Sequence, residues 1–171
     1  KKPDKILVIN NGSSDGTGDF LILNNIDHIY SSKNIGSAGG WNIGIEYALN
    51  NNFDLIWLMD DDGYPHRNSL NCLYSSIIDK DIVCLSSLVV DSKNHSRLAI
   101  PLPLLNEKKL PVMLKNKRKI YFTNNQLITN NKFYEFANFF NGTLIKVNAI
   151  KSIGQINKNF FLYGEEVDYF F

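Results

Sequence analysis

The sequence has no long apolar run, little cysteine and almost no excess of charge of either sign. No stretch reaches the roughly 18 consecutive apolar residues that a transmembrane helix needs. Only two cysteines occur in 171 residues. Cys72 and Cys84 are too far apart for a CxxC motif, so buried thiols in a reducing cytosol explain them. The formal net charge of +1 favours no nucleic-acid partner.

The start of the chain also lacks the pattern of a secretory signal peptide. Its apolar run, residues 6–9, is short and stops at Asn10. We therefore expect a cytoplasmic protein, and contact with the inner face of the membrane stays open.

Short apolar runs and amphipathic stretches alternate along the chain. The pattern predicts one α/β domain, with a central, mostly parallel sheet flanked by helices. Strands are predicted over residues 5–9, 28–31, 54–59, 82–86 and 139–147, and helices over 20–23, 40–50 and about 70–77. Residues 34–40 are rich in glycine and are predicted to be a loop.

Residues 97–131 differ in composition from the rest. They contain Pro101, Pro103 and Pro111 and a basic patch at residues 115–119. We predict a loop-rich insertion here and not a second domain. A solvated basic surface explains the patch most simply, and contact with an anionic acceptor or a membrane is the functional alternative.

Three adjacent carboxylates, Asp60, Asp61 and Asp62, follow the apolar run 55–59. Like charges this close repel one another unless a cation or hydrogen bonds compensate. Ligands bind at the carboxyl ends of strands in such sheets, and oxygen ligands suit Mg²⁺ or Mn²⁺. An acidic, solvated turn is an equally good interpretation of the acids alone.

Two segments rich in small residues follow predicted strands, at residues 11–17 and 34–44. Small residues let the backbone approach a ligand, and glycines before a helix favour anion binding. Ordinary turns explain either segment taken alone. Neither carries a P-loop motif or GxGxxG. Near the end, Glu165 or Glu166 would suit a general base, although acids also favour a helix start.

The order of these segments resembles glycosyltransferase family 2, whose fold is called GT-A. The likeness is carried by VINNGSSDGT at residues 8–17, NIGSAGGWNIG at 34–44, WLMDDDGYP at 57–65, FNGTLI at 140–145 and FLYGEEVD at 161–168. The third segment is similar to the DxD motif of the rhamnosyltransferase and galactofuranosyltransferase branch.

The resemblance implies a nucleotide diphosphate sugar donor, a glycan or lipid-linked acceptor, and Mg²⁺ or Mn²⁺. Asp60 and Asp62 would be the metal ligands, and Glu166 the catalytic base with Glu165 beside it. The residues implied to border the donor are Asn10, Asn11, Asp15, Asn34, Gly36, Gly39, Gly40, Asn42, Asp60 and Asp61.

The sequence departs from the family in three respects. Asn10 and Glu166 stand where the family usually has Asp. The family's first strand and helix should precede Lys1, and an Arg usually follows the last segment. We therefore expect a single GT-A domain over residues 1–171 that is incomplete at both ends.

Two other functions remain open. A sugar nucleotidyltransferase would also place acids at a sheet edge, but it usually has a basic, glycine-rich loop after its first strand. The loop after Ile9 has no basic residue. A non-catalytic module that binds a nucleotide sugar is the third interpretation.

Overall fold

The alternation of strands and helices is confirmed by the computed structural model, which describes residues 1–78, 81–115, 117–118, 120–123, 134–139, 141–157 and 161. The elements in chain order are β1 Val8–Asn10, α1 Thr17–Leu23, β2 His28–Tyr30, α2 Gly36–Asn50, β3 Leu55–Leu58, α3 Ser69–Ile78, β4 Cys84–Ser86, β5 Arg97–Pro103, β6 Met113–Leu114, β7 Lys117–Arg118, β8 Ile120–Thr123, β9 Thr143–Lys146 and α4 Val147–Ile153.

The described strands form one parallel pair, one antiparallel three-stranded sheet and two antiparallel pairs. β1 pairs in parallel with β2. β9 pairs antiparallel with β3 on one side and with β4 on the other, so β3 and β4 run in the same direction with β9 reversed between them. The prediction of an α/β fold is confirmed, but of the pairings in these two sheets only β1 with β2 is parallel, because β9 runs antiparallel to both of its neighbours.

Helices pack on both faces of the three-stranded sheet of β3, β9 and β4. Successive residues of a strand point to opposite faces, so two neighbours on β9 enter different cores. Ile145 packs with Ala38 and Ile45 of α2, whereas Leu144 packs with Leu73 and Ile77 of α3. The sheet is thus packed between α2 and α3. This packing fixes the position of the residues that follow β3.

The prediction of a loop over residues 34–40 is wrong, because α2 begins at Gly36. Glycine is a poor helix former, but side chains from elsewhere hold the backbone here. Asn34 Oδ1 accepts from the Gly36 N–H at 2.8 Å, and Asn11 Oδ1 accepts from the Ile35 N–H at 3.0 Å. These bonds supply the partners that the first turn of a helix lacks.

The strand predicted over 5–9 is displaced, with ladder pairing only from Val8. The strand predicted over 139–147 begins later than expected, at Thr143. Gly142 has a φ of +76°, a conformation that turns the chain just before β9.

The proline-rich and basic stretch contains short antiparallel pairs, β5 with β8 and β6 with β7. This agrees with loops and short strands, although residues 124–131 lie outside the described part and the insertion itself stays a prediction. No helix in the described ranges is both long and apolar enough to cross a membrane.

Candidate functional site

An open cleft of about 770 Å³ lies between β1 and β3, along one side of α2. Its walls include five of the residues that the sequence predicted to bind the donor: Asn11, Gly36, Gly40, Asp60 and Asp61. They come from three separate segments, after β1, at the start of α2 and after β3. The carboxyl ends of β1 and β3 therefore deliver polar groups to one mouth of this cleft.

Asn11 and Asn34 hold the start of α2 in place. Besides accepting from Ile35, Asn11 donates through Nδ2 to the Gly36 carbonyl at 2.9 Å and to Asn34 Oδ1 at 3.3 Å. Both amide side chains are therefore engaged inside the protein. They position the first turn of α2 at the cleft mouth, and their direct contact with a donor stays a prediction.

Asn10 is only 2% exposed. Its Oδ1 accepts from the Ser13 N–H at 3.0 Å, which shapes the turn after β1. Its Nδ2 is buried and has no hydrogen-bond partner among the described residues. An unsatisfied buried donor costs about 1–3 kcal/mol. The Asn10 Nδ2 group is therefore free to donate a hydrogen bond to a further acceptor.

Local contacts explain Asp15 and Gly39 without a ligand. Asp15 is exposed and accepts from the Thr17 hydroxyl at 2.6 Å and from the Thr17 N–H at 3.1 Å. These bonds, the hydroxyl first, lower the pKa of Asp15 and start α1. At Gly39, an added Cβ would lie 2.7 Å from Ile35 Cγ1, so only glycine fits there without a shift.

Asn42 lies away from the cleft mouth, buried at 4% exposure. Its Nδ2 donates to the Ile156 carbonyl at 3.2 Å and reaches Gln155 Oε1 at 3.4 Å. The amide therefore ties α2 to the segment after α4. This contact explains the asparagine without a ligand.

We expect Asn42→Ala to lower the free energy of unfolding by about 1–3 kcal/mol, because it leaves the buried Ile156 carbonyl unpaired. Urea denaturation measures the loss, and Asn50→Ala, on the exposed end of the same helix, is the control. The dissociation constant for the donor should not change. A weakened donor affinity at unchanged stability would instead place Asn42 in the binding site.

The three carboxylates follow β3 in a tight turn. The Gly63 N–H donates to the Asp60 carbonyl at 3.3 Å, and the Gly142 N–H donates to the Leu58 carbonyl at 2.9 Å. Gly142, just before β9, therefore stabilises the end of β3 from which the turn begins. Asp60, Asp61 and Asp62 are all exposed, but Asp61 and Asp60 line the cleft, whereas Asp62 is not among its lining residues.

Within the described residues, no basic side chain balances the charges of these acids. No lysine or arginine in the described ranges forms an ion pair with them. Partial desolvation raises the pKa of Asp60, and the neighbouring charges of Asp62 and then Asp61 raise it further. A carboxylate held among like charges is a site at which a cation would relieve repulsion.

The donor set fits a hard divalent ion held partly by its substrate. Within the part of the chain that the structure describes, no three His, Cys, Asp or Glu side chains converge on one point. Asp60 and Asp62 would therefore hold Mg²⁺ or Mn²⁺ with few protein ligands, and phosphate and water oxygens would complete the octahedron. This is how Mg²⁺ is usually bound in sites that handle phosphates.

Replacing Asp60 with asparagine should stabilise the metal-free protein at neutral pH. A pKa raised above its ordinary value of 3.8 means that the folded state holds this proton more tightly than the unfolded state. That stabilising contribution is complete at low pH and is lost as pH rises through the folded pKa. The Asp60→Asn protein should therefore have a higher Tm than the natural protein at neutral pH, and the gap should close near pH 3.8.

Asp54→Asn, at an exposed carboxylate just before β3, is the matched control and should leave the Tm nearly unchanged. High salt should shrink the gain from Asp60→Asn by screening the repulsion. A lower Tm for Asp60→Asn at neutral pH would show that its charge is compensated after all.

Glu165 and Glu166 lie outside the described residues, and their role stays a prediction. Phe161, four residues before Glu165, is described. Its carbonyl accepts from the Ser37 N–H at 3.0 Å. Phe161, the first residue of the predicted segment 161–168, therefore lies at the start of α2.

Sequence reasoning did not single out the aromatic side of the cleft. Trp41 and Tyr47 of α2, Trp57 of β3 and Tyr74 of α3 line it. The helical spacing of Trp41, Ile45, Ala48 and Leu49 was the available signal. That spacing indicated an apolar face but not that the face borders an open cleft.

Comparisons with known proteins identify the family of this chain. The family model described as "Glycosyl transferase family 2" matches residues 1–143. The chain is 28% identical to galactofuranosyltransferase GlfT1 of Mycolicibacterium smegmatis (strain ATCC 700084 / mc(2)155), over 98% of this chain and 55% of that protein. It is 26% identical to galactofuranosyltransferase GlfT1 of Mycobacterium tuberculosis (strain CDC 1551 / Oshkosh), over 97% and 53% respectively. The chain thus spans about half the length of these relatives.

The resemblance drawn from the five segments is confirmed by these matches, and family membership carries the GT-A fold with it. The residues of the cleft mouth, from Asn11 to Asp61, all fall inside the matched range. Because that range covers well over half of its 171 residues, this chain belongs to glycosyl transferase family 2.

Proposed function

We propose that this chain is the donor-binding core of a metal-dependent, inverting glycosyltransferase. The donor would be a UDP- or dTDP-linked sugar, and the acceptor a glycan or a lipid-linked glycan of a cell-surface polysaccharide. One observation carries the proposal. Asn11, Gly36, Asp60 and Asp61 meet at the mouth of one cleft in a chain of this family.

The arrangement suits transfer from a diphosphate leaving group. Asp60 and Asp62 would hold the divalent ion, which when bound supplies charge that offsets the departing nucleotide. The start of α2, fixed by Asn11 and Asn34, borders the same mouth. These residues bind and orient the donor and perform no covalent step.

Glu166 would take the proton from the acceptor hydroxyl. The acceptor oxygen then forms a bond to the anomeric carbon while the bond from that carbon to the diphosphate oxygen breaks. The nucleotide diphosphate leaves with the bonding electrons. A single displacement from the opposite face inverts the anomeric configuration.

The donor sugar is proposed from the relatives. Two of them are named galactofuranosyltransferases, so galactofuranose is the first candidate and rhamnose the second. We would incubate the full-length protein with Mn²⁺, a glycan acceptor and, in turn, UDP-galactofuranose, UDP-galactopyranose, UDP-glucose and dTDP-rhamnose. The product anomer would be read by NMR.

Transfer from UDP-galactofuranose or dTDP-rhamnose with inverted configuration supports the proposal. A retained configuration would contradict the inverting mechanism. Formation of a nucleotide sugar from a sugar phosphate and a nucleoside triphosphate would instead support the nucleotidyltransferase, and nucleotide binding without any transfer would support the non-catalytic module.

A further inference from the structure

Residues 104–123 concentrate positive charge in a chain whose remainder is net negative. They contain six of the 18 basic residues of the chain and one of its 17 acidic residues. Such a charge asymmetry indicates a surface for a negatively charged partner. None of these residues lines the cleft of the proposed donor site, so the proposed function leaves this stretch unexplained.

The first turn in this stretch, residues 106–110, is stabilised by its own asparagine. Asn106 Oδ1 accepts from the N–H groups of Lys108 and Leu110 at 2.9 and 3.1 Å. Lys109 forms an ion pair with Glu135 at 3.1 Å, whereas no acid among the described residues pairs with Lys108. Leu110 is 50% exposed. The turn therefore presents an ammonium group next to an exposed apolar side chain.

The second turn joins β6 to β7 and has the same composition. Leu114 pairs opposite Lys117, and Lys115 lies in the connection between the two strands. Leu114 is 56% exposed, and Lys115 is exposed with no ion pair to a described acid. Arg118 and Lys119 follow directly in the sequence. A lysine thus again lies beside an exposed leucine.

Both turns hold a lysine in a left-handed backbone conformation. The φ of Lys109 is +63° and that of Lys115 is +48°. In the described part of the chain, the other non-glycine residues with positive φ are Asn25 and Asn52, and asparagine tolerates this conformation best. Turn stability alone would favour asparagine or glycine at these two positions, so the lysines indicate a role for the side chain itself.

The two basic turns, residues 106–110 and 114–117, are neighbours in space. Four residues separate Leu110 from Leu114, so their Cα atoms lie at most ~14 Å apart. Both turns belong to the connection between β5 and β8, which pair with each other. Leu102 of β5 is only 3% exposed, so this connection starts from a buried strand. A single flat partner can therefore contact both turns at once.

We propose that the two basic turns form a docking surface for an anionic lipid bilayer. The lysines contact the headgroup phosphates, and Leu110 and Leu114 enter the boundary between headgroups and acyl chains. A nucleic acid or an acidic glycan would complement the charge but would give the exposed leucines no apolar partner. A bilayer offers both. The inference goes beyond the transfer reaction and does not depend on it.

Flotation of the full-length protein with lipid vesicles tests the proposal without any sugar substrate. One set of vesicles contains phosphatidylcholine alone, and the other an equal mixture of phosphatidylcholine and phosphatidylglycerol. We expect binding to the mixed vesicles that weakens as salt rises, because salt screens exposed charges. Binding to phosphatidylcholine alone should be much weaker.

The lysine contribution is measured with a double variant, Lys108→Gln/Lys115→Gln. Its affinity for the mixed vesicles should fall by about 20-fold, since each basic residue near such a surface contributes roughly fivefold. Lys33→Gln/Lys151→Gln removes the same charge from exposed positions elsewhere and should leave binding nearly unchanged. Lys108→Arg/Lys115→Arg keeps the charge and should bind like the natural protein. Equal Tm values verify that each variant is folded.

The apolar contribution is measured with Leu114→Ser. Its affinity for the mixed vesicles should fall by about three- to tenfold, and the loss should be similar at each salt concentration. Leu23→Ser is the matched control, because Leu23 is 80% exposed on α1 and lies outside the two basic turns. It should bind vesicles as the natural protein does.

Three results would overturn the proposal. Vesicle binding that is absent, or that does not respond to salt, would show that these charges do not hold a bilayer. Equal losses in the two lysine-to-glutamine variants would show that only net charge matters. Unchanged vesicle binding in Leu114→Ser, together with equally tight binding to heparin, would assign the turns to polyanions in general.

Discussion

Replacing Gly36 with alanine should lower the free energy of unfolding by about 3 kcal/mol or more. Gly36 has a φ of +77°, which a residue with a Cβ adopts only with strain. In addition, that Cβ would lie 1.9 Å from the Phe161 carbonyl oxygen, so backbone would have to move. We expect the segment at Phe161 to leave the start of α2, and urea denaturation would measure the loss.

Gly16 offers a matched control for the strain alone. Its φ is +88°, and an added Cβ would meet no atom within 4 Å. Gly16→Ala should therefore cost only the left-handed conformation, about 1–2 kcal/mol. Equal losses for the two substitutions would show that the close approach of Phe161 contributes nothing.

Replacing Glu166 with glutamine should lower kcat by about 10²–10⁴-fold and leave donor binding intact. The amide is nearly isosteric but does not take a proton from the acceptor hydroxyl. The role follows from the family resemblance, and Phe161, at the start of the same predicted segment, accepts a hydrogen bond from Ser37 of α2. Steady-state kinetics with saturating donor would measure the change.

Glu165→Gln is the neighbouring control and should retain most of its turnover. A large loss in Glu165→Gln with normal turnover in Glu166→Gln would exchange the two roles. Normal turnover in both variants would remove the catalytic base from this segment altogether.

Much of the fold could be predicted from local patterns. The apolar run before Asp60 predicts a strand, and the structure has β3 there. The helical spacing of Leu70, Leu73 and Ile77 predicts a helix, and the structure has α3 there. The acids after β3 were likewise predictable, because a rigid strand ends directly before them. Such features depend only on residues close in sequence.

The start of α2 was not predictable in this way. Its glycines favour a loop by propensity, and the bonds that make it helical come from Asn11, more than 20 positions away in the chain. Asn42 is similar, since its partner Ile156 is 114 residues distant. A contact with no local pattern leaves no signal in a single sequence, so the structural role of Asn42 appeared only in the fold.

The reversed strand β9 shows the same limit. Its sequence reads as a buried strand, and Thr143, Leu144 and Ile145 are at most 2% exposed. Burial on both faces occurs for either direction when helices cover the sheet. Direction depends on the connection through residues 87–142, whose length and path are not encoded in the strand.

As proposed above, Asp60 and Asp62 would hold a divalent ion that in turn holds a nucleotide diphosphate at the mouth of the cleft. Calorimetric titration of the full-length protein with UDP and dTDP, with Mn²⁺ and with a chelator, tests it most directly. We predict binding that requires Mn²⁺, is lost in Asp60→Ala and Asp62→Ala, and is retained in Asp54→Asn. Equal binding in the presence of the chelator, or undiminished binding in both alanine variants, would contradict the account.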